Sequence, residues 1–523
     1  MMFRSFRRHE RRTARASAPP RHLIFALSGA LFVAALLGAC AGASEVEQAF
    51  ADLTRVRDAK RAELEEYFEH VETTVESVQT DGTLRSAFLD LNDLFHGRPV
   101  SAPDRRGRSL GSIEHSILDR YLDAYQLFYD IHFVSASGDV FYSILKQDDL
   151  FENIFEGELS DSLLARRLRE SPEAATADFG FPGFGSEPSA FFAQPIRSES
   201  GHAGWIVFQF LSSRLAEIFA HEDSLGRTGE VFLVNRDHFM LTDSYHLPES
   251  SVLRRHLSSQ NIESKFRERA GEKVVVDYRG YEALTSFEVC EIMGFEWLLI
   301  AKIDFDEVVT REYAADPRRH HDRITEYLRT SPIPQSTVTP PEAAYQPVHL
   351  DDFARIESGP GLFTPGVATC TSIVVSMPGR FAYMAHVSPY DRIYGGSRTD
   401  LVRSLLRRVS DFEVADKEMR EVNVVIVTPM IRHSERLVDE LVDAGIFLSQ
   451  ITIMKNPEAR CADVRYEFAT GETYVTWCYG DAYEEERVQL ASQTETLADV
   501  MRRLGYVRLP EGLQAPERTA RVE

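Results

Sequence analysis

The chain is poor in cysteine, in positive charge and in long apolar runs. Its 523 residues hold five cysteines, and 58 Lys and Arg face 81 Asp and Glu, for a formal net charge of −23. That excess of negative charge argues against nucleic acid as a partner. No metal-ligand spacing, phosphate-binding loop or Ser/His/Asp pattern stands out, so we expect no metal and no cofactor. Lone histidines such as His320 and His321 are predicted to be solvated helix residues.

One apolar run does occur, close to the start of the chain. Residues 1–22 carry seven arginines and one glutamate, and Leu23–Ala39 is uncharged and almost wholly apolar. A basic segment followed by such a run is typical of an export signal. The run has 17 residues, which is close to the minimum length for a membrane-spanning helix. No apolar run of spanning length follows further on, so nothing later in the sequence carries a signal through a membrane.

The end of this run suggests lipid attachment. Leu37–Cys40 (LGAC) resembles the lipobox of bacterial lipoproteins, in which the cysteine is acylated and becomes the new N-terminus. The resemblance implies a signal peptide over residues 1–39, lipidation of Cys40 (palmitate among the acyl groups), and an exported protein anchored by lipid on the periplasmic or cell-surface face of a membrane. A plain cleaved signal with a chance cysteine is the alternative.

The next segment predicts a long helix followed by strands. From Ser44 to about His96, apolar residues recur at helical spacing among many charged ones, with a break near Asp81-Gly82. Short apolar runs joined by turn residues then predict strands. These predicted strands are Ile131–Val134, Val140–Leu145, Phe191–Arg197, Gly204–Leu211, Val231–Asn235, Phe239–Asp243, Val274–Tyr278 and Trp297–Ile303.

This region resembles the double Cache sensor domains of bacterial chemoreceptors and sensor kinases. The likeness is carried by KRAELEEYF in the long helix, FVSASGDVFYSILKQDDLFENI from Phe133, GRTGEVFLVNRDHFMLTDS from Gly226 and WLLIAKIDFDEV from Trp297. It implies a long N-terminal helix (residues 40–110) backing two stacked PAS-like modules, membrane-distal (111–220) and membrane-proximal (221–306). It also implies an unknown small ligand in the distal module.

The sequence does not identify that ligand. Aromatic residues are dense in the distal module, at Phe179, Phe181, Phe184, Phe191 and Phe192. They predict either an aromatic-lined pocket or, more commonly at this density, plain core.

Asp243 and the segment after the sensor modules also have expected roles. Asp243 resembles the aspartate that many Cache modules use for a ligand amine, although a solvated turn carboxylate is the simpler interpretation. Residues 307–347 are predicted as a charged helix, Glu307–Thr330, and a proline-rich linker, Ser331–Pro347, which acts as a stiff extended spacer.

The stretch from Thr364 to His386 contains the candidate catalytic residues. Cys370 lies before an apolar strand, and His386 ends a second strand that follows a Pro378-Gly379 turn. Two short strands joined by such a turn fold back on each other, which brings thiol and imidazole together. Because an imidazole beside a thiol stabilises the thiolate, the pattern predicts an accessible cysteine of low pKa.

The same stretch resembles the chemoreceptor glutamine deamidases of the CheD family, relatives of the cytotoxic necrotizing factor toxins. Thr364, Cys370 and His386 fall on the family's threonine, cysteine and histidine. Further matches are the strand Asn423–Val427, the helix Ser434–Gly445 and the hairpin around Thr470-Gly471. The residues next to Cys370 and His386 depart from the family pattern. The resemblance implies an α/β sandwich domain over residues 348–515 with a tail at 516–523, and an α+β chain overall.

The family's chemistry is amide hydrolysis through a thioester. The resemblance implies that Cys370 attacks a glutamine carboxamide, that His386 moves the proton and that Thr364 orients His386. Since an exported protein cannot reach cytoplasmic receptor helices, the expected substrate is a glutamine-containing envelope or extracellular protein. Transglutamination is a close variant. A non-catalytic ligand-binding lipoprotein that keeps the fold, or a cysteine peptidase, are the competing classes.

The remaining cysteines are given structural roles. Cys461 and Cys478 flank the hairpin around Thr470-Gly471, so a disulfide between them is plausible. Cys290 lies in an apolar segment and is predicted to be a buried thiol. Cys370 is then left unpaired, as a nucleophile requires.

Overall fold

The computed structural model describes the chain in segments. These are residues 44–80, 82–97, 127–145, 150–181, 187–199, 201–220, 223–331, 343–389, 401–429, 434–479, 484–489, 495–510 and 513. The predicted signal peptide, Cys40, most of the proline-rich linker and the tail lie outside these residues. No helix among the described segments has both the length and the apolar character that a membrane span needs.

Two helices begin the described chain, α1 (Glu45–Thr80) and α2 (Gly82–Phe95). In α1 the side chains of Leu64, Phe68, Val71 and Val75 are buried, and their spacing of three or four residues places them on one face. That face packs against the strands described next. The helix is thus held by tertiary contact along its length.

The first sheet has the strand order β2-β1-β5-β4-β3, and every pairing in it is antiparallel. Its strands are β1 (Asp130–Ser135), β2 (Val140–Ser143), β3 (Ala175–Gly180), β4 (Ser189–Ser198) and β5 (Gly201–Leu211), with helices α3 (Leu163–Glu170) and α4 (Ser213–Ile218) beside them.

The second sheet is also antiparallel, in the order β6-β9-β8-β7. It consists of β6 (Glu230–Val234), β7 (Ala270–Val276), β8 (Glu282–Ile292) and β9 (Phe295–Asp304), with α5 (Ser259–Glu268) packed on it. The predicted strand at Phe239–Asp243 is wrong. That segment makes only isolated bridges, because the chain turns at His238, where φ is 65°.

The predicted charged helix is present as two, α6 (Phe305–Ala315) and α7 (Pro317–Thr330). Pro317 has no N–H to continue α6, but its fixed φ suits the first position of a new helix. Asp316 caps that helix by accepting a hydrogen bond from the Arg319 backbone N–H at 3.3 Å. The break redirects the chain toward the C-terminal domain.

The C-terminal domain contains two facing sheets, in the orders β10-β12-β17-β18-β19 and β11-β14-β13-β15-β16. Their strands are β10 (Gln346–Pro347), β11 (Asp352–Ile356), β12 (Gly361–Val367), β13 (Thr371–Met377), β14 (Phe381–Val387), β15 (Asn423–Thr428), β16 (Ile451–Lys455), β17 (Cys461–Glu467), β18 (Glu472–Tyr479) and β19 (Glu484–Gln489). The helices are α8 (Leu401–Arg408), α9 (Ser434–Asp443) and α10 (Leu497–Arg503). Buried side chains from both sheets, Val374, Met384 and Trp477 among them, form the layer between them.

The C-terminal domain packs directly on α6 and α7. The Leu448 backbone N–H donates to Thr310 Oγ1 at 3.0 Å, and Tyr313 Oη donates to Asp439 at 2.7 Å. The prediction that His320 and His321 are solvated is therefore wrong. His320 is buried, and His321 Nε2 lies within 3.1 Å of Asp439, because this domain covers the helix.

Candidate active site

The hairpin of β13 and β14 places Cys370 and His386 on one face. Ser372 is paired with His386 in register, and Cys370 lies two residues before Ser372. Directly opposed residues share a face of a sheet, and so do residues two apart along a strand. Cys370 packs against the layer between the two sheets, as does Met384, two residues before His386. Cys370, directly before β13, and His386 thus lie on the same side of the sheet, at one end of the sandwich.

Thr364 in β12 fixes the orientation and the tautomer of His386. Its Oγ1 donates to the Val348 carbonyl oxygen at 2.9 Å and lies 2.7 Å from His386 Nδ1. A hydroxyl has one proton to donate, so Nδ1 carries the imidazole proton and donates to Thr364. The Nε2 lone pair is then available as a base.

His386 Nε2 is buried and has no hydrogen-bond partner among the described residues, and the same holds for Ser372 Oγ directly opposite. Buried polar atoms without partners are uncommon in folded proteins, and a catalytic role is one explanation for them. Two such atoms side by side therefore mark this end of the sandwich as a candidate site.

The pKa values differ from the prediction of a low-pKa thiol. Burial raises the pKa of the Cys370 thiol, the Thr369 hydroxyl opposes that rise through a hydrogen bond, and the Asp351 carboxylate adds to it. Burial lowers the pKa of His386, although Asp351 opposes this change. No hydrogen bond joins Cys370 to His386 Nε2. The resting pair is a neutral thiol and a neutral imidazole, because desolvation disfavours both charged forms.

Sequence reasoning missed Asp351. Its backbone N–H donates to the His386 carbonyl oxygen at 2.7 Å, and its Oδ1 accepts from the Ser388 N–H at 2.9 Å. Its φ of 56° is left-handed, a conformation that Asp tolerates better than most residues. A carboxylate that holds the backbone beside His386 and acts on both pKa values is part of the site. Its only sequence signal was an Asp-Asp pair before a strand.

The other cysteines lie where the hairpin pattern placed them. Cys461 and Cys478 are directly opposite each other in the β17–β18 register, and the structure holds both as thiols. A disulfide between them stays a prediction. Cys290 is buried in β8, and burial raises the pKa of its thiol to about 12, which fits a structural role.

The aromatic residues and Asp243, weighed as possible ligand contacts, divide between core and surface. Phe179, Phe191 and Phe192 are buried, which favours the plain-core interpretation, whereas Phe181 is 56% exposed. Phe184 lies outside the described residues. Asp243 is exposed, and its Oδ1 accepts from the Ser251 N–H at 2.7 Å, as a turn carboxylate does.

Several solved structures resemble part of the chain. An extracellular ligand-binding receptor from Desulfohalobium retbaense is 15% identical, with 47% of this chain and 39% of that receptor covered, at a TM-score of 0.34. Two others are ligand-binding domains of chemoreceptors. That of PctC from Pseudomonas aeruginosa, in complex with GABA, is 15% identical (49% of this chain, 99% of that one, TM-score 0.34). The ligand-binding domain of CtaA from Pseudomonas fluorescens, in complex with L-leucine, is 11% identical. The match covers 50% of this chain and 97% of that one, at a TM-score of 0.34.

This chain thus spans well under half the length of the Desulfohalobium receptor. No protein-family model matches the sequence, and no curated protein does either.

Proposed function

We propose that this protein is an exported lipoprotein, anchored through Cys40, in which a double Cache sensor is joined to a Cys–His glutamine amidohydrolase. The observation that carries the enzymatic part is the series Val348 O, Thr364 Oγ1, His386 Nδ1, which leaves Nε2 as a buried unpartnered base on the face that holds Cys370. The sensor part is supported by the sequence motifs and by the long helix packed on two antiparallel sheets.

The mechanism begins from the neutral pair. As Cys370 Sγ attacks the carbon of a glutamine side-chain amide, His386 Nε2 takes the thiol proton, so no resting thiolate is required. The imidazolium then protonates the departing nitrogen, ammonia leaves and a thioester remains. Water, deprotonated by the same Nε2, attacks the thioester, and glutamate and the thiol are released. Backbone N–H groups near Cys370 would hold the oxyanion.

The roles of the other residues follow from their contacts. Thr364 positions His386 through Nδ1, and charge on the imidazolium that forms during the reaction is favoured by the nearby Asp351 carboxylate. The structure places no hydrogen bond between Sγ and Nε2, and substrate binding closes that gap in the proposed reaction. Catalytic hydrogen bonds commonly tighten only in the substrate complex.

The proposed substrate is a protein of the envelope or the extracellular space with an accessible glutamine. The test compares cells that make the wild-type chain with cells that make Cys370→Ser or His386→Ala. We expect glutamine-to-glutamate conversions in envelope proteins, detected by peptide mass spectrometry, in wild-type cells only. Glutamine–amine adducts in their place would identify transglutamination. Equal conversion in all three strains would contradict the proposal.

The raised pKa of Cys370 and the missing Sγ–Nε2 hydrogen bond favour a second candidate, a ligand-binding lipoprotein whose C-terminal domain does not turn over substrate. This candidate predicts that substitution of His386 leaves the reactivity of Cys370 unchanged.

A further inference from the structure

A small cavity lies between α5 and the second sheet. Its volume is about 70 Å³, and its polar lining includes Lys265, Asp277, Thr285 and Lys302. The apolar part is made by side chains such as Phe232 and Ile300. Since a water occupies about 30 Å³ in the liquid, the space suits about two waters or one small organic molecule.

Lys265 is an unusual residue to line a cavity, because it is a buried lysine. It is 1% exposed. Among the residues that the structure describes, the carboxylate acting on Lys265 is that of Glu268, which acts through charge and not through a hydrogen bond. Its Nζ donates to Asn261 Oδ1 and sits 5.5 Å from the centre of the Phe287 ring. An ammonium has three N–H donors, so this arrangement leaves donors for a further acceptor. Burial lowers the pKa of Lys265 to about 7; Lys273 adds to this fall, and the Glu268 carboxylate opposes it.

The other charges of the cavity already have partners. Lys302 Nζ lies 3.1 Å from Glu230 and 2.7 Å from Asp277, and Asp277 is also paired with Arg279 at 2.8 Å. Lys302 and Arg279 overcome the effect of burial and hold the pKa of Asp277 at about 2. The unmatched charge of the cavity is therefore the positive charge of Lys265.

We propose that this cavity, in the membrane-proximal module, binds a small monocarboxylate whose carboxylate pairs with Lys265 and whose short chain packs on the apolar wall. An α-amino acid is disfavoured, because Asp277 is engaged and the cavity offers no other carboxylate for an ammonium group. This site is separate from the ligand that the sequence resemblance implies for the distal module. It rests on the proposed function only in naming this part of the chain the membrane-proximal module.

The test is calorimetric titration of the full-length protein in detergent with sodium propionate, against sodium chloride at equal ionic strength. We expect binding by the wild type and a loss of about tenfold or more in affinity for Lys265→Met. Lys273→Met is the matched control, because Lys273 lies by the same Phe287 ring but pairs with Glu268 at 2.6 Å. We expect its affinity to equal or slightly exceed that of the wild type, because removal of Lys273 also removes its repulsion of the Lys265 ammonium.

Two further measurements distinguish a loss of binding at this cavity from a general effect of the Lys265 substitution on folding. Val275→Phe narrows the cavity from a partly exposed strand while keeping Lys265, and we expect it also to lose propionate. L-Alanine, of similar size, should bind at least about tenfold more weakly than propionate. No binding by the wild type up to about 10 mM, full affinity in Lys265→Met, or equal binding of alanine would overturn the proposal. Cys370 reactivity is measured separately, so failure here leaves the amidohydrolase proposal untouched.

Discussion

Arg420 of the C-terminal domain reaches into the proximal module and pairs with Asp304, the last residue of β9. Asp304 is fully buried and also pairs with Arg279, and Arg420 lies 3.0 Å from Asp306 at the start of α6. Arg279 in turn contacts Asp277, which lines the cavity beside Lys265. A continuous set of buried charges thus extends from the proximal module into the domain that holds Cys370.

Loss of Arg420 is predicted to weaken the docking of the two parts. Breaking a buried ion pair by removing one partner costs about 3–5 kcal/mol, and Arg279 remains to pair Asp304, so we expect Arg420→Ala to lower the free energy of unfolding by about 3 kcal/mol. Urea denaturation measures this loss. Arg403→Ala, at an exposed position on α8, should change it by less than about 0.5 kcal/mol. Equal effects of the two substitutions would show that Arg420 does not hold the interface.

Thr364→Val tests the positioning of His386. The substitution keeps the side-chain shape but leaves the Val348 carbonyl and His386 Nδ1 without their partner, so we expect a loss of about 1–3 kcal/mol in the free energy of unfolding. Nitrogen NMR should also show His386 leaving the Nδ1–H tautomer. Thr364→Ser retains the hydroxyl and should behave as the wild type. An unchanged tautomer in Thr364→Val would contradict the assigned role.

Asp351 is predicted to oppose thiolate formation at Cys370. Because its negative charge contributes to the raised pKa, Asp351→Asn should shift the alkaline limb of Cys370 alkylation to lower pH. The adjacent Asp352→Asn is the control, since Asp352 is exposed and its Oδ1 accepts only a local hydrogen bond from the Phe353 N–H. A shift of equal size in the control would remove the specific role of Asp351.

The opposed cysteines of β17 and β18 are predicted to form a disulfide in an oxidising compartment. Peptide mapping without reductant should recover Cys461 joined to Cys478. Reduction should lower the free energy of unfolding by about 3 kcal/mol, as expected for a closed loop of 18 residues (478 − 461 + 1). The Cys461→Ser variant should be insensitive to reductant. A bridge from Cys370 to either residue would contradict both this pairing and a nucleophilic Cys370.

Local patterns accounted for much of the fold. The helical spacing of apolar residues predicted α1 and α2. Two short apolar runs on either side of Pro378-Gly379 predicted the hairpin next to Cys370 and His386. The strand β8 was not predicted, because it is buried on both faces over most of its length and so lacks the alternation of a half-exposed strand. The helix break at Pro317 has a local cause in the sequence, since proline at this position ends one helix and begins the next.

The rest of the site could not be predicted because it depends on long-range contacts. Asp351 joins the site only when β11 pairs with β14, and Ser372 becomes a neighbour of His386 only in the observed register. The raised pKa of Cys370 reflects burial by two packed sheets, which a linear pattern does not contain. The same holds for His320, His321 and Arg420, whose burial depends on domain docking.

The central claim is that His386 acts as the base for Cys370, and the most direct test is the pH profile of iodoacetamide alkylation at Cys370, followed by mass spectrometry. A neutral thiol assisted by a neutral imidazole predicts a rate plateau between the lowered pKa of His386 and the raised pKa of Cys370, with a thiolate limb above it. His386→Ala should lose the plateau, fall about tenfold per pH unit below the thiol pKa, and rejoin the wild type at high pH. Superimposed profiles for the two proteins across the whole pH range would contradict the claim.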